Sequence, residues 1–371
     1  MITLIPVFKS YMDKACLTQL EEVQASGFLG EGKKVEEFRE EICKIVGNDK
    51  VVLTNSCTIA LEISLRILTR HVKDRKPVVA CSPFTMVADY CVLKNGGYEI
   101  VWVDVSPRTL CPLPLSLAQT SADVLLVTMV GGLPAPTTLL EVCKQKGIKV
   151  LLDGAQGLYT YSNQVGHVSA YVDAFCTSFQ AIKHLSCGDG GAMVFRNQDD
   201  YELAEELKWF GISRKKTKPE TRQTSYKVSN PGYKANMNEL AAAVGLGNLE
   251  FSRKSVASSR LNSDLLVHQL RPKLTRQQYE SFSGPSEFLP SCWCTGGIFE
   301  RRNELVAFLK ERGIDSTTLW MRQDKHTGEK PITGMGIKTI EDKILFVPNG
   351  WWVNEEEMAY IAKTICEFYN A

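Results

Sequence analysis

The chain has 371 residues, 44% of them hydrophobic and 23% charged, with 43 basic against 42 acidic side chains and a formal charge of +1. This is the composition of a globular protein with room for one large domain and a smaller one. The charge balance argues against nucleic acid or an anionic membrane surface as partner, and no run approaches the ~18 apolar residues that span a bilayer.

The N-terminal stretch MITLIPVFKSYMDK lacks a basic segment followed by a long apolar one, so no secretory leader is expected. KKVEEFREEICKIV (33–46) carries Val35, Phe38, Ile42, Ile45 and Val46 at helical spacing, with Gly47 placed to close the helix. KVVLTNS reads as a strand entering a turn and CTIALEISLRIL as a helix. PVVACS is a short buried strand, MVADYCVLKN a helix stopped by Gly96-Gly97, and YEIVWVDV a strand. ADVLLVTMV, TTLLEVCKQKG and IKVLLDG give strand, helix, strand; DAFCTSF and GGAMVF are two further short strands.

The polar stretch 213–232 reads as a loop. A long helical pattern follows from about residue 236, then strand-like pieces and the helices RRNELVAFLKERG and NEEEMAYIAKTICEFY. There is no internal repeat and no low-complexity tract. Strands that are continuously apolar, alternating with helices, indicate an α/β fold with a mostly parallel central sheet covered by helices on both faces. The expected division is a large α/β domain over residues 1–250 and a smaller α+β domain over residues 251–371.

Twelve cysteines include no C-x-x-C pair, and Cys292-Trp293-Cys294 has no nearby histidine. No zinc site is expected. Most of the cysteines lie in apolar runs, where a thiol acts as a small hydrophobe. Reduced, buried cysteines are expected, and with them a cytoplasmic location.

Ligands of open α/β sheets collect at the carboxyl ends of the strands, and three groups fall there. In TNSCT (54–58) a strand turns into a helix. Exposed N–H groups with the hydroxyls of Ser56 and Thr58 suit a phosphate, though an ordinary N-cap has the same sequence. In VLLDGAQG, Asp153 ends an apolar strand and is able to hold a cationic nitrogen or to cap the next turn. In TSFQAIKHLSCGDGGAMVF, Lys183 follows a strand within an apolar stretch. A buried lysine has a lowered pKa and attacks carbonyls, whereas most lysines reach solvent. Taken together, a phosphate turn, a carboxylate and a buried lysine on successive strand ends describe a pyridoxal phosphate (PLP) site. A nicotinamide site is disfavoured, because no G-x-G-x-x-G follows the first strand.

These segments resemble the DegT/DnrJ/EryC1/StrS sugar aminotransferases, fold-type I PLP enzymes, over nearly the whole chain. SGFLGEGKKVEEFREEI, TNSCTIALEISL, VDVSPRTL, LLDGAQG, SFQAIKHLSCGDGGAMV and GYKANMNELAAAVGLGNL carry the likeness in the family's order. The resemblance implies that Lys183 forms the Schiff base with PLP and then moves the proton between substrate and cofactor. It implies that Asp153 pairs with the pyridine nitrogen, that Gln156 lies near the ring or its 3′ oxygen, and that Ser178, Ser56 and Thr58 bind the phosphate. Asn236 would reach the phosphate of a neighbouring subunit, so a homodimer is implied. Cys57 stands where the family usually has Gly, and Met86 where an aromatic often stacks on the ring.

The implied activity moves an amino group from L-glutamate to a nucleotide-linked keto-sugar. Lys234, Arg214 and Lys215 are candidates to meet the anionic substrate, or they form a solvated charge run. A related PLP-dependent sugar dehydratase is the second reading. Dehydratases of the family carry His in place of the lysine, so Lys183 favours transamination. A catalytically inactive PLP-fold binding or regulatory protein is the third.

Overall fold

The computed structural model describes residues 4–164, 166–213, 228 and 230–370. Helices α1 (Ala15–Ser26) and α2 (Lys33–Val46) lead into strand β1 (Val51–Thr54). Then follow α3 (Cys57–Leu68), β2 (Val78–Cys81), α4 (Val87–Asn95), β3 (Glu99–Trp102) and the short α5 (Pro114–Ala118). Next come β4 (Val124–Thr128), α6 (Thr137–Lys146) and β5 (Lys149–Asp153). A small ladder of β6 (Tyr161–Ser162) and β7 (Gly166–His167) precedes β8 (Ala174–Ser178), β9 (Gly191–Phe195) and α7 (Gln198–Leu207). The chain ends with α8 (Glu239–Leu270), β10 (Tyr279–Ser281), β11 (Thr295–Phe299), α9 (Arg302–Glu311), α10 (Met335–Lys343), β12 (Ile344–Val347) and α11 (Glu355–Asn370).

Seven strands form one sheet in the order β1-β9-β8-β5-β4-β2-β3. All run parallel except β9, which is antiparallel to β1 and to β8. The expected α/β fold with a mostly parallel sheet is therefore present. The strands read as unbroken apolar runs because both faces are covered. Val51 and Leu53 of β1 pack with Phe38 and Ile42 of α2, whereas Val52 packs with Leu61 and Leu65 of α3 on the other face. Each such side chain contributes ~1.5–3 kcal/mol on burial. α2 stops at Gly47, whose φ of 63° is left-handed, as its sequence predicts.

The three-stranded antiparallel sheet β10-β11-β12 supports a second core with α9 and α11. α8 links the two: Ala242 sits in the first core, while Leu266 and Leu270 sit in the second. The expected division between residues 250 and 251 falls inside this 32-residue helix. Its mid-helix glycines are explained by contact. A Cβ on Gly247 would lie 2.5 Å from the backbone of Cys16 in α1, and one on Gly245 would lie 2.7 Å from the Phe38 ring. The N-terminal arm returns to the second unit, bridging Ile5 to Ile314.

Four helices, α1, α5, α7 and α10, escape the sequence pattern. α1 buries only Cys16 and Val23, too few for a visible stripe, and α10 is nine residues long. All twelve cysteines are free, with Cys91 exposed, Cys43 and Cys292 half-buried and the rest buried. Most of the 213–232 stretch lies outside the described residues. Among the described residues no helix is long and apolar enough to cross a membrane.

Candidate active site

The turn between β1 and α3 is held from three sides. Ser56 N-caps α3, its hydroxyl accepting from the Ile59 N–H at 3.3 Å. Thr54 Oγ1 donates to the Ser56 carbonyl at 3.0 Å, and the Asn55 N–H donates to the Ala235 carbonyl at 2.8 Å. β9 packs so closely behind the turn that a Cβ on Gly191 would lie 2.5 Å from the Cys57 nitrogen. The Gly190-Gly191 pair thus seats a strand against the turn. The Cys57 side chain points inward, its Sγ 3.9 Å from Asp153 Oδ1. It is buried and does not occupy the mouth of the turn, where Thr58 is exposed.

Asp153 ends β5 and is 4% exposed. Its Oδ1 accepts from the Ala155 N–H at 2.9 Å, while its other oxygen makes no hydrogen bond among the described residues. Burial pushes its carboxyl above the ordinary range, and the Ala155 N–H, the Lys183 charge and the Cys57 thiol oppose that push. Gln156 is buried beside it, its Oε1 accepting from the Gly131 N–H at 2.6 Å.

Lys183 comes from the loop between β8 and β9. Its Nζ sits 4.1 Å from the centroid of the Trp293 ring. That ring stacks on Phe8 at 4.8 Å and donates its Nε1–H to the Ile182 carbonyl at 3.0 Å. Burial pushes the Lys183 ammonium below its ordinary value; Asp153, Cys57 and Cys294 pull it back. Neighbouring His184 shares a hydrogen bond with Ser259 Oγ at 3.2 Å and is pushed down to about 3 by burial, Arg260 and Lys183. It stays neutral at ordinary pH.

One cavity of about 390 Å³ brings together Ser56, Cys57, Thr58, Met86, Asp153, Gln156, Ser178 and Lys183. Met86 flanks it at the start of α4, its sulfur accepting from the Ala88 N–H at 3.0 Å. A larger groove of about 480 Å³ lies at the amino ends of β5 and β8, where Asp173 pairs with Lys149 and Arg196.

Asn236 is not in the cavity wall. It bridges to Thr54 of its own chain, and its side chain accepts from Lys234 Nζ at 2.7 Å. Lys234 lies over Trp209 at 4.0 Å. Arg214 and Lys215 lie outside the described residues.

Part of the wall was not visible in the sequence: Phe8, Trp293, Thr317, Leu319 and Trp320 also line the cavity. Both indoles follow a non-glycine residue in the left-handed region, Cys292 with φ 53° and Leu319 with φ 63°. Such residues are uncommon and cluster at functional sites. Position 104, in the VDVSPRTL motif, does not face this cavity. Asp104 accepts from the Gly336 and Ile337 N–H groups at 3.2 and 2.8 Å, capping α10.

The donor set fits PLP. A helix N-terminus with the Thr58 hydroxyl exposed beside it suits a phosphate, a carboxylate with an open oxygen suits a protonated ring nitrogen, and a lysine of lowered pKa lines the same cavity.

Comparison with known proteins agrees. Residues 10–363 match the model of the DegT/DnrJ/EryC1/StrS aminotransferase family. The spore coat polysaccharide biosynthesis protein SpsC of Bacillus subtilis is 31% identical over 257 residues, which is 66% of this chain and 64% of that protein's length. The sugar aminotransferase CalS13 from Micromonospora echinospora superposes with a TM-score of 0.91 at 25% identity, covering 98% of this chain and 100% of that one. AtS13 from Actinomadura melliaura gives 0.92 at 26% identity, covering 98% and 99%. The chain belongs to the DegT/DnrJ/EryC1/StrS aminotransferase family of pyridoxal-phosphate-dependent enzymes.

Proposed function

We propose that this chain is a PLP-dependent aminotransferase that takes an amino group from L-glutamate and gives it to a nucleotide-linked keto-sugar, acting as a cytoplasmic homodimer. The observation that carries the reading is Lys183. It is depressed by burial, held against Trp293 and within the electrostatic reach of Asp153 in one cavity.

When bound, the cofactor supplies an electron sink for the substrate's α-carbon. The chain's own residues would do the following. Ser56, Thr58 and Ser178, with the first N–H groups of α3, would hold the phosphate. Asp153 would keep its charge beside the ring nitrogen and so keep that nitrogen protonated. Lys183 would attach the cofactor through Nζ and, once displaced by substrate, accept and return the proton at the reacting carbon. Gln156 would bound the ring on the Gly131 side. Phe8, Trp293, Leu319 and Trp320 would exclude water and offer flat apolar faces to a sugar ring.

Lys183 is the sole cation lining the cavity among the described residues. The diphosphate of a nucleotide-linked sugar would therefore lie at or beyond the mouth. Asn236, set against the outer side of the phosphate turn, would act across a subunit boundary. The test is conversion of L-glutamate to 2-oxoglutarate coupled to amination of a panel of nucleotide keto-sugars. Turnover of glutamate with no accepted sugar in that panel would reject the acceptor class.

A further inference from the structure

Asp89 lies in the first turn of α4 and is fully buried. It makes no ion pair among the described residues, and its Oδ1 has no hydrogen-bond partner. Its Oδ2 meets Thr85 Oγ1 in a very short contact and Thr128 Oγ1 at 2.8 Å. The two threonine oxygens are themselves 2.5 Å apart. Three oxygens thus form a closed triangle.

Each hydroxyl brings a single proton to donate. With Asp89 ionised, two protons would have to serve three oxygen–oxygen contacts, and one contact would set lone pair against lone pair. A proton on Asp89 Oδ2 closes the ring head to tail. Asp89 then donates to Thr85, Thr85 to Thr128, and Thr128 back to Asp89. Burial without a cation favours the same neutral form.

The triangle stands directly beside the candidate cofactor floor. Thr128 ends β4 and is the register partner of Asp153 on β5. The charge that acts on Asp89 is that of Asp153; the other titratable groups facing it are the thiols of Cys57 on α3, Cys81 on β2 and Cys176 on β8. Burial pushes all three thiols well up, so they are neutral. Burial first, and Asp153 second, push Asp89 up to about 8.

We propose that Asp89 is a reserve acid behind Asp153: it stays protonated in the oxygen triangle, so that the buried pair carries one negative charge, and on releasing its proton to solvent at alkaline pH it strengthens the hold of Asp153 on a cationic ring nitrogen. Asp89 is a positioning residue, acting through Asp153. The proposal rests on the reading of Asp153 as the partner of that nitrogen.

The experiment compares the full chain with its Asp89→Asn and Asp153→Asn variants. Asn is neutral, and its Nδ2 is able to donate to both Thr85 and Thr128, so the three contacts stay paired with one threonine proton left over. Infrared difference spectra at pH 6.5 are expected to show a protonated carboxylic-acid carbonyl in the wild type and in Asp153→Asn, and to lose it in Asp89→Asn. Absence of that band from the wild type, or its survival in Asp89→Asn, overturns the proposal.

The second readout is PLP affinity by equilibrium dialysis at pH 6.5 and 9.5. The wild type should bind more tightly than Asp89→Asn at pH 9.5, by about tenfold for one unit of coupling, and alike at pH 6.5. Equal affinities at both pH values overturn the coupling. A chain that keeps the infrared band but binds no PLP overturns the cofactor reading and the coupling with it, while the protonated triangle stands.

Discussion

The floor and the roof of the cavity come from different parts of the chain and are built by different means. The floor is Ser56, Asp153, Ser178 and Lys183, each at or just past the carboxyl end of a sheet strand. Its positions follow from local rules: a strand ends, a turn caps a helix, and polar groups cluster at the strand ends. The roof is Phe8, Trp293, Thr317, Leu319 and Trp320, drawn from the N-terminal arm and the second unit. Nothing local dictates those positions; tertiary packing brings them over the floor. On the proposed reading the floor would carry chemistry common to many substrates, and the roof would be where one acceptor is told from another.

That contrast can be broken or sharpened by substitution. The largest effect is expected in the floor. Lys183→Ala should abolish covalent PLP attachment and cut transamination by at least ~10²–10⁴-fold, with the fold intact by circular dichroism. Turnover near the wild-type rate would remove Lys183 from the chemistry.

Asp153→Ala comes next. It removes the charge beside the ring nitrogen and should slow the amino-donor half-reaction by about 10²–10³-fold, read by stopped-flow absorbance with L-glutamate.

In the roof, Trp320→Ala should raise the acceptor KM about tenfold, ~1.4 kcal/mol, and leave the donor half-reaction nearly unchanged. Equal losses in both half-reactions would mean that roof and floor are not separable.

Trp293→Ala should act through pH. Burial lowers the Lys183 pKa, so admitting water raises it again. The neutral amine then appears only at higher pH, and the pH profile of PLP capture, trapped by borohydride reduction, should shift to the alkaline side. A shift to the acid side would contradict this account of Lys183.

The same contrast explains what could be read from the sequence. The strand order of the large sheet was not written there, but its elements were. β1, β4, β8 and β9 are buried along their whole length and β5 after its first residue, which produces the continuous apolar runs. Lys183 stood out because Phe179, Ala181, Ile182 and Leu185 surround it in sequence, and in the fold its Nζ lies over the Trp293 ring.

Trp293 itself gave no signal: Cys292-Trp293-Cys294 has no periodicity, and its left-handed entry is not encoded by a glycine. Asp89 was hidden for another reason. In VADYCVLKN it looks like a charge in the first turn of a helix, and only packing against Thr128 shows it to be buried without a cation. Cys57, which stands where the family usually has Gly, is turned towards Asp153.

The most direct test of the central claim is the visible absorption spectrum of the purified chain with PLP, before and after addition of L-glutamate. The account predicts a band from lysine-bound cofactor that gives way to the pyridoxamine phosphate band when glutamate is added, and no such lysine-bound band in Lys183→Ala. A wild-type chain with no lysine-bound band would contradict it.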